Sequence, residues 1–253
     1  MDNKYSDNEI KVESGLGKKF ENFWYYHKWK VIVSLFAALV LAVCVYSCIS
    51  KPKTDVVVLY SGPFNSSSAI PEINKNLTDG APDGVVRNGI SINVLTVYTE
   101  EQWTKLAREE VDRYIAEDGG DFSKEEREKL IKDRIDVYKD LTADNSKAFG
   151  EHLGIGSYAI CFVDPSVYES YKETKVFAKL KDIFGENVPG TANDEFTVKL
   201  ADTHIYKSNP NGIGQLPEDT LICLRVEPFF SGCGGGSSGE YQKAIQVFKI
   251  LVQ

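Results

Sequence analysis

Serine and glycine residues that could bind an anion follow the first predicted strand of this chain, in the segment SGPFNSSS at positions 61–68. Their hydroxyl and backbone N–H groups precede a predicted helix, and a helix N-terminus attracts negative charge. Asp164 follows the third predicted strand, at the same expected edge of the sheet where open α/β folds bind ligands. Ser61, Gly62 and Asp164 are therefore candidate ligand-binding residues. The alternative is that the serines and Asp164 only cap the helices that follow.

Other reactive residue types occur without the spacing that catalysis or metal binding requires. His27, His152 and His204 stand apart, and no cysteine pair has zinc-site spacing. The chain contains no phosphate-binding loop ending in Gly-Lys-Ser/Thr. We therefore expect no enzyme activity, no metal and no cofactor.

The charge of the chain excludes one class of partner. The formal net charge is −8, and the six lysines and five acids of residues 1–50 leave −9 on residues 51–253. Nucleic-acid binding requires a basic surface that neutralises phosphates. We therefore expect no nucleic-acid partner.

Short apolar runs alternate with amphipathic segments along most of the chain. The strand-like segments are 55–60, 90–98, 157–163, 196–200, 204–206 and 220–226. The helix-like segments are a short one opened by Ser67 or Ser68, then 99–118, 123–141, 164–171, 174–184 and 240–252. Capping boxes are expected at Thr99 with Gln102 and at Ser123 with Glu126. The alternation predicts an α/β fold in which helices flank a mixed, mainly parallel sheet.

The five cysteines do not form a disulfide framework. Cys161 and Cys223 lie in predicted strands, and they are either two buried thiols or, if their strands are neighbours, one bridge. Cys233 lies in the glycine-rich segment 231–239. Cys44 and Cys48 would share one helix face, where they contact lipid, contact a second copy or carry palmitate.

A run of 20 uncharged residues at positions 31–50 is the strongest signal in the chain. It would span about 30 Å as a helix, the thickness of a bilayer's hydrocarbon core. The run predicts a transmembrane helix, since a buried core helix would show a polar face. A cleaved signal peptide and a lipoprotein signal ending at Cys48 are the alternatives. Amphipathic residues suited to the headgroup region precede the run: Phe23, Trp24, Tyr25, Tyr26, Lys28, Trp29 and Lys30.

Lysines set the expected orientation of this helix. Residues 1–30 hold six lysines and residues 51–54 hold two, and basic residues near a span tend to stay in the cytoplasm. The predicted organisation in the cell membrane is a cytoplasmic segment 1–30, a transmembrane helix 31–50, a linker 51–54 and an extracytoplasmic α/β domain 55–253.

Several stretches of the chain resemble a set of uncharacterised single-pass membrane proteins of Gram-positive bacteria. They are GKKFENFWYYHKWKVIV, KPKTDVVVLYSGP, YAICFVDPSVYESYKE, FAKLKDIF and LPEDTLICLRVE. The middle of the domain is similar to a reduced type 2 periplasmic solute-binding fold. The resemblance implies an extracytoplasmic α/β domain, and no established activity comes with it.

The sequence as a whole favours a membrane-anchored extracytoplasmic interaction or sensor domain. Its expected partners are the lipid bilayer, through residues 31–50, and a protein or small solute outside the membrane. The alternative is a membrane-tethered protein that binds a small solute in the cleft near Ser61, Gly62 and Asp164.

Overall fold

The computed structural model describes residues 15–50, 54–227 and 238–253. These residues belong to two compact units that divide between positions 52 and 53. The first unit contains one long helix, and the second contains a sheet with its flanking helices.

Helix α1 runs from Gly15 to Ser50 and includes the predicted span 31–50. Its stretch Trp24–Val43 has mean hydropathy 1.5, and none of that stretch is buried. Among the described residues, no other helix is long and apolar enough to cross a membrane. A buried core helix is therefore the wrong alternative. The side chains of Cys44 and Cys48 lie outside the described part of this helix.

Five strands form one mixed sheet in the described part of the second unit, in the order β2-β1-β3-β5-β4. Strand β1 pairs in parallel with both β2 and β3, and β5 runs antiparallel to β3 and β4. The predicted α/β class with a mixed sheet is thus confirmed. The strands are β1 Val56–Gly62, β2 Ile90–Thr96, β3 Ile160–Val163, β4 Thr197–Lys199 and β5 Leu221–Leu224.

Helices cover both faces of this sheet. They are α2 Ile70–Asp79, α3 Glu100–Asp118, α4 Lys124–Ile155, α5 Pro165–Tyr171, α6 Leu180–Phe184, α7 His204–Ser208 and α8 Ser238–Leu251. Short 3₁₀ turns occupy Lys172–Thr174, Leu200–Asp202 and Ile213–Gln215.

Two predicted elements are wrong. The predicted helix over 174–184 begins only at Leu180, because residues 176–178 are extended and pair with the end of β5. The Ala178 N–H donates to the Leu224 carbonyl oxygen at 2.8 Å. The predicted extended piece 204–206 belongs to α7, because the Thr203 hydroxyl accepts a hydrogen bond from the Tyr206 N–H and caps that helix.

Strand β1 is the centre of the core. Val58 and Tyr60 face one hydrophobic cluster together with α2 and α8, while Leu59 faces the other together with α4 and α5. All three side chains are fully buried. The valine-rich run 55–60 therefore forms a strand that is covered on both faces, as its composition predicts.

Helices α3 and α4 form an antiparallel hairpin with a small core of its own, which we call the arm. Both expected capping boxes are present, at Thr99 and at Ser123. Helix α4 continues well past the predicted end at position 141, and Phe149 brings its second half onto the sheet. The arm is therefore anchored to the sheet through α4.

Cys161 and Cys223 lie directly opposite each other on β3 and β5, and both are buried free thiols. Two residues along each strand, the Arg225 N–H donates a hydrogen bond to the carbonyl oxygen of Ala159, which lies directly opposite. Because hydrogen-bonded and non-hydrogen-bonded pairs alternate along antiparallel strands, the two cysteines also form a hydrogen-bonded pair. Cβ atoms in such pairs are about 5.5 Å apart, whereas a disulfide needs about 3.5–4.5 Å. Strand pairing therefore places the two thiols side by side and keeps them reduced.

We expect Cys161 and Cys223 to stay unmodified in the native chain, because burial excludes reagents and raises the pKa of the Cys223 thiol. Native iodoacetamide labelling followed by peptide mass spectrometry should find both unlabelled, and denaturation without a reductant should expose both. A Ser67→Cys variant, which places a thiol on an exposed loop, is the positive control. A disulfide-linked peptide containing both cysteines would contradict this account.

Asp55 joins three parts of the domain at the start of β1. Its carboxylate accepts hydrogen bonds from the N–H groups of Arg87 and Asn88, the latter at 2.7 Å, and pairs with the Lys243 ammonium at 3.1 Å. Its side chain is only 10% exposed. The two backbone donors and Lys243 lower the pKa of Asp55 to about 2.

An Asp55→Asn variant should be less stable than the wild type by about 1–2 kcal/mol at neutral pH. The pKa of the carboxylate is lower in the folded state than its ordinary value of 3.8. Its contribution to the free energy of unfolding is therefore present above about pH 4 and is lost as the pH falls toward 2. Denaturant unfolding of the detergent-solubilised chain across this pH range would measure the difference. Asp83→Asn, in an exposed turn, is the matched control; an equal loss in both variants would refute the role of Asp55.

Candidate functional site

The structure brings the three predicted site residues together. The Asp164 N–H donates to the Ser61 carbonyl oxygen at 2.8 Å, so β1 and β3 end side by side. A Cβ atom placed on Gly62 would lie 3.1 Å from the Asp164 Cβ and 2.6 Å from the Tyr60 hydroxyl oxygen. Only glycine therefore fits at position 62 without displacing its neighbours.

This junction is the point at which the sheet changes winding direction. The chain leaves β1 through α2 to form β2 on one side, and it returns through α3 and α4 to form β3 on the other side. Helices α2 and α4 cover opposite faces of the sheet. A crevice at the carboxyl ends of the strands is expected at such a position.

Asp164 caps helix α5 in this structure. Its Oδ1 accepts hydrogen bonds from the backbone N–H of Ser166, at 2.8 Å, and from the Ser166 hydroxyl. The capping alternative is thus confirmed for Asp164. Ser61 is fully buried, and its hydroxyl has no hydrogen-bond partner among the described residues. A ligand-binding role for Ser61, Gly62 and Asp164 stays a prediction.

The serines after β1 do not cap α2 as the capping alternative expects. The residue at the N-cap position is Ala69, which provides no side-chain hydrogen bond. The hydroxyl oxygens of Ser66 and Ser68 lie 3.1 Å apart and interact with each other. Pro71 occupies the first turn of the helix, as predicted.

A cavity of about 600 Å³ lies next to this junction, between the base of the arm and helix α5. Its lining includes none of the three predicted site residues, but it includes Ser166, which Asp164 holds in place. A volume of this size is within the range of about 300–1,000 Å³ that small-molecule sites occupy. Other cavities of the domain also fall in this range, and this one is the candidate site because it lies at the carboxyl edge of the sheet, beside the predicted site residues.

Three elements hold the walls of the cavity. The end of β2 is fixed when the Val97 N–H donates to the Gly62 carbonyl oxygen at 2.8 Å. Helix α4 is fixed to the same segment because the Thr142 hydroxyl accepts from the Tyr98 N–H at 3.2 Å. The Tyr171 hydroxyl, at the end of α5, donates to the Ser146 carbonyl oxygen at 3.3 Å. Hydrogen bonds between neighbouring elements thus set the distances across the cavity.

The lining of the cavity combines rings, hydroxyls and one carboxylate. The aromatic residues are Tyr98, Trp103 and Tyr171, and burial raises the pKa of the Tyr98 phenol, which therefore stays neutral. Glu100 is its one charged residue. The hydroxyl residues are Thr99, Thr142, Ser146, Ser166 and Ser170. Such a surface can bind a small polar molecule by stacking and hydrogen bonding.

Sequence reasoning missed this cavity because its residues come from three separate segments. Trp103 fits the apolar stripe of a predicted helix, and Ser166 and Ser170 lie on the polar face of a short one. One sequence signal could have located the cavity. Thr99 comes after β2 and Asp164 comes after β3, so both lie at the carboxyl edge of the sheet. Across the described residues, no group of three His, Cys, Asp or Glu side chains could hold a metal ion.

Comparison with known proteins found no family model, no curated protein and no solved structure that matches this chain. The resemblance to single-pass membrane proteins of Gram-positive bacteria therefore stays a prediction. The functional argument rests on the geometry of the chain itself.

Proposed function

We propose that this chain is a single-pass protein of the cell membrane whose outer domain interacts with a partner or senses its surroundings. The observation that carries the proposal is that none of the stretch Trp24–Val43 is buried. Leu35 and Phe36, near its middle, are 71% and 68% exposed. A lipid bilayer would cover this apolar surface, which would otherwise contact water.

The size of this surface favours a membrane over a protein partner. Twenty helical residues form a cylinder about 30 Å long and 10 Å wide, with about 900 Å² of lateral surface. The largest apolar patch on a typical soluble monomer is about 300–600 Å² and faces one direction. Here the exposed apolar residues lie all around the helix. A bilayer can contact all sides of such a helix, whereas a single docking partner contacts one side.

The residues before the apolar stretch support an interfacial position. Trp24, Tyr25, Tyr26 and Trp29 are all exposed, and the Lys28 ammonium lies 5.9 Å from the centre of the Tyr25 ring. Rings and ammonium groups of this kind settle among lipid headgroups. With six lysines in residues 1–30, this flank is proposed to face the cytoplasm and residues 55–253 the outside.

The shape of the outer unit supports interaction or sensing as its role. Residues 53–253 form one compact unit instead of the two lobes of a typical solute-binding protein. The arm presents Val137 and Leu141, one turn apart on α4 and both exposed, to solvent. Exposed apolar side chains on a helix that is anchored in the core provide a rigid surface for a protein partner.

Binding of a small solute is the second candidate function, and the cavity beside Ser166 favours it. The cavity lies at the carboxyl edge of the sheet, where α/β folds bind ligands, and its rings and hydroxyls suit a small polar molecule.

We expect the full-length chain to stay in the membrane fraction after an alkaline carbonate wash, because extraction would expose the apolar helix. Trypsin added to intact protoplasts should degrade residues 55–253 and leave an N-terminal epitope tag protected. Permeabilised protoplasts, in which the tag is lost, are the control. Loss of the tag in intact protoplasts would reverse the orientation, and a processed soluble product without residues 31–50 would refute the anchor.

We also expect the chain to migrate in a larger complex in native gels of mildly solubilised membranes than after purification. Val137→Glu with Leu141→Glu should reduce that complex to the size of the purified chain, because charges would interrupt the apolar surface of the arm. Ile155→Glu, at another exposed apolar position on α4, is the matched control. Migration that is the same for all three chains would contradict an interaction through the arm.

A further inference from the structure

We propose that the cavity between the arm and helix α5 binds the ammonium group of a small organic amine. This inference rests on the second candidate function, the binding of a small solute. It goes beyond that function by assigning the chemical class of the ligand. Three properties of the lining carry the inference: its hydroxyls on the α5 side act as acceptors, its one charged residue is acidic, and the rings of Trp103 and Tyr171 are partly exposed.

The hydroxyl groups on the α5 side have already used their protons within the protein. The Ser170 hydroxyl donates to the Ser166 carbonyl oxygen at 3.1 Å, and the Ser166 hydroxyl donates to the Asp164 carboxylate. The Tyr171 hydroxyl donates to the Ser146 carbonyl oxygen. Since each hydroxyl has one proton, these groups offer only lone pairs to a ligand. A ligand that matches them must supply hydrogen-bond donors.

The charge of the cavity selects the same kind of ligand. Glu100 is the one charged residue of the lining, and none of the ion pairs among the described residues includes its carboxylate. The N-terminus of α3 would attract an anion, but the capping box of Thr99 and Gln102 satisfies two of its N–H groups. Glu100 and Glu101 also offset its positive end. The balance of charge therefore favours a cation.

The aromatic rings provide a surface on which an ammonium group is stable. The faces of Trp and Tyr rings attract cations, and Trp attracts them most strongly. The Lys139 ammonium lies 5.8 Å from the centre of the Trp103 ring, so a ligand ammonium would avoid this like charge and lie nearer to Glu100. Tyr171 adds a second, half-buried ring, whereas Tyr98 is only 6% exposed and packs against Tyr138. An amine with an apolar body would stack on the rings while its ammonium contacts Glu100.

The test uses three probes that share a cyclohexane ring and differ in one group: cyclohexylmethylamine, cyclohexylmethanol and cyclohexanecarboxylate. The full chain is placed in phosphatidylglycerol nanodiscs, which contain no amine headgroup. Trp24 and Trp29 are replaced with phenylalanine, so that Trp103 is the one remaining tryptophan of the three in the chain. Its fluorescence then reports on the cavity while ionic strength is held constant.

The amine should change the Trp103 fluorescence saturably and bind at least about tenfold more tightly than the alcohol or the carboxylate. Glu100→Gln should weaken binding of the amine about three- to tenfold, because the substitution removes the opposite charge. Glu117→Gln, on the exposed end of the arm, should leave the affinity unchanged and serves as the matched control.

Two other outcomes would overturn the inference in different ways. If the alcohol or the carboxylate binds as tightly as the amine, or if Glu100→Gln has no effect, the cavity binds a solute without selecting an ammonium group. If none of the three probes gives a saturable response, both the ammonium inference and the solute-binding function fail. Neither outcome affects the proposed membrane anchor.

Discussion

The need to keep the uncharged run 31–50 of α1 out of water is the constraint on which the proposed account of this protein depends. None of the stretch Trp24–Val43 is buried, and the length of the uncharged run 31–50 matches the hydrocarbon thickness of a bilayer. Only five residues of chain separate the end of α1 at Ser50 from the first strand at Val56. In the proposed arrangement, with α1 in a bilayer, this short connection keeps the domain near the membrane surface, and its candidate partners are molecules found there.

Within the domain, the sheet is covered on both faces and along its β2 edge. Strand β2 lies at one edge of the sheet, and side chains of α2 form hydrogen bonds with its outer backbone. The Thr78 hydroxyl accepts a hydrogen bond from the Ile90 N–H. The Asn74 amide oxygen accepts one from the Ile92 N–H. At the C-terminal end of β2, the side-chain amide of Asn145 on α4 donates a hydrogen bond to the Thr96 carbonyl oxygen. These bonds prevent edge-to-edge pairing and hold the base of the arm beside the strand, which is where the cavity forms.

Short sequence patterns predicted the structure of single elements well. They failed where contacts with distant segments determine the backbone conformation. The valine-rich run 55–60 and the capping box at Thr99 carry their own signals, and both form as predicted. Residues 176–178 have a helix-like pattern, but backbone pairing with the end of β5 makes them extended. Asp164 was correctly placed at the strand edge, but its carboxylate is engaged by the next helix. The cavity needs the meeting of three segments, which no single-sequence pattern encodes.

The depth of α1 in a bilayer tests the central claim most directly. Spin labels at positions 28, 36 and 43 of the full chain in liposomes would report their collision rates with oxygen, which concentrates in lipid, and with a water-soluble nickel complex. The account predicts that the labels at positions 36 and 43 collide more often with oxygen and less often with nickel than the label at position 28. Collisions with nickel as frequent at position 36 as at position 28 would place the helix in water and contradict the account.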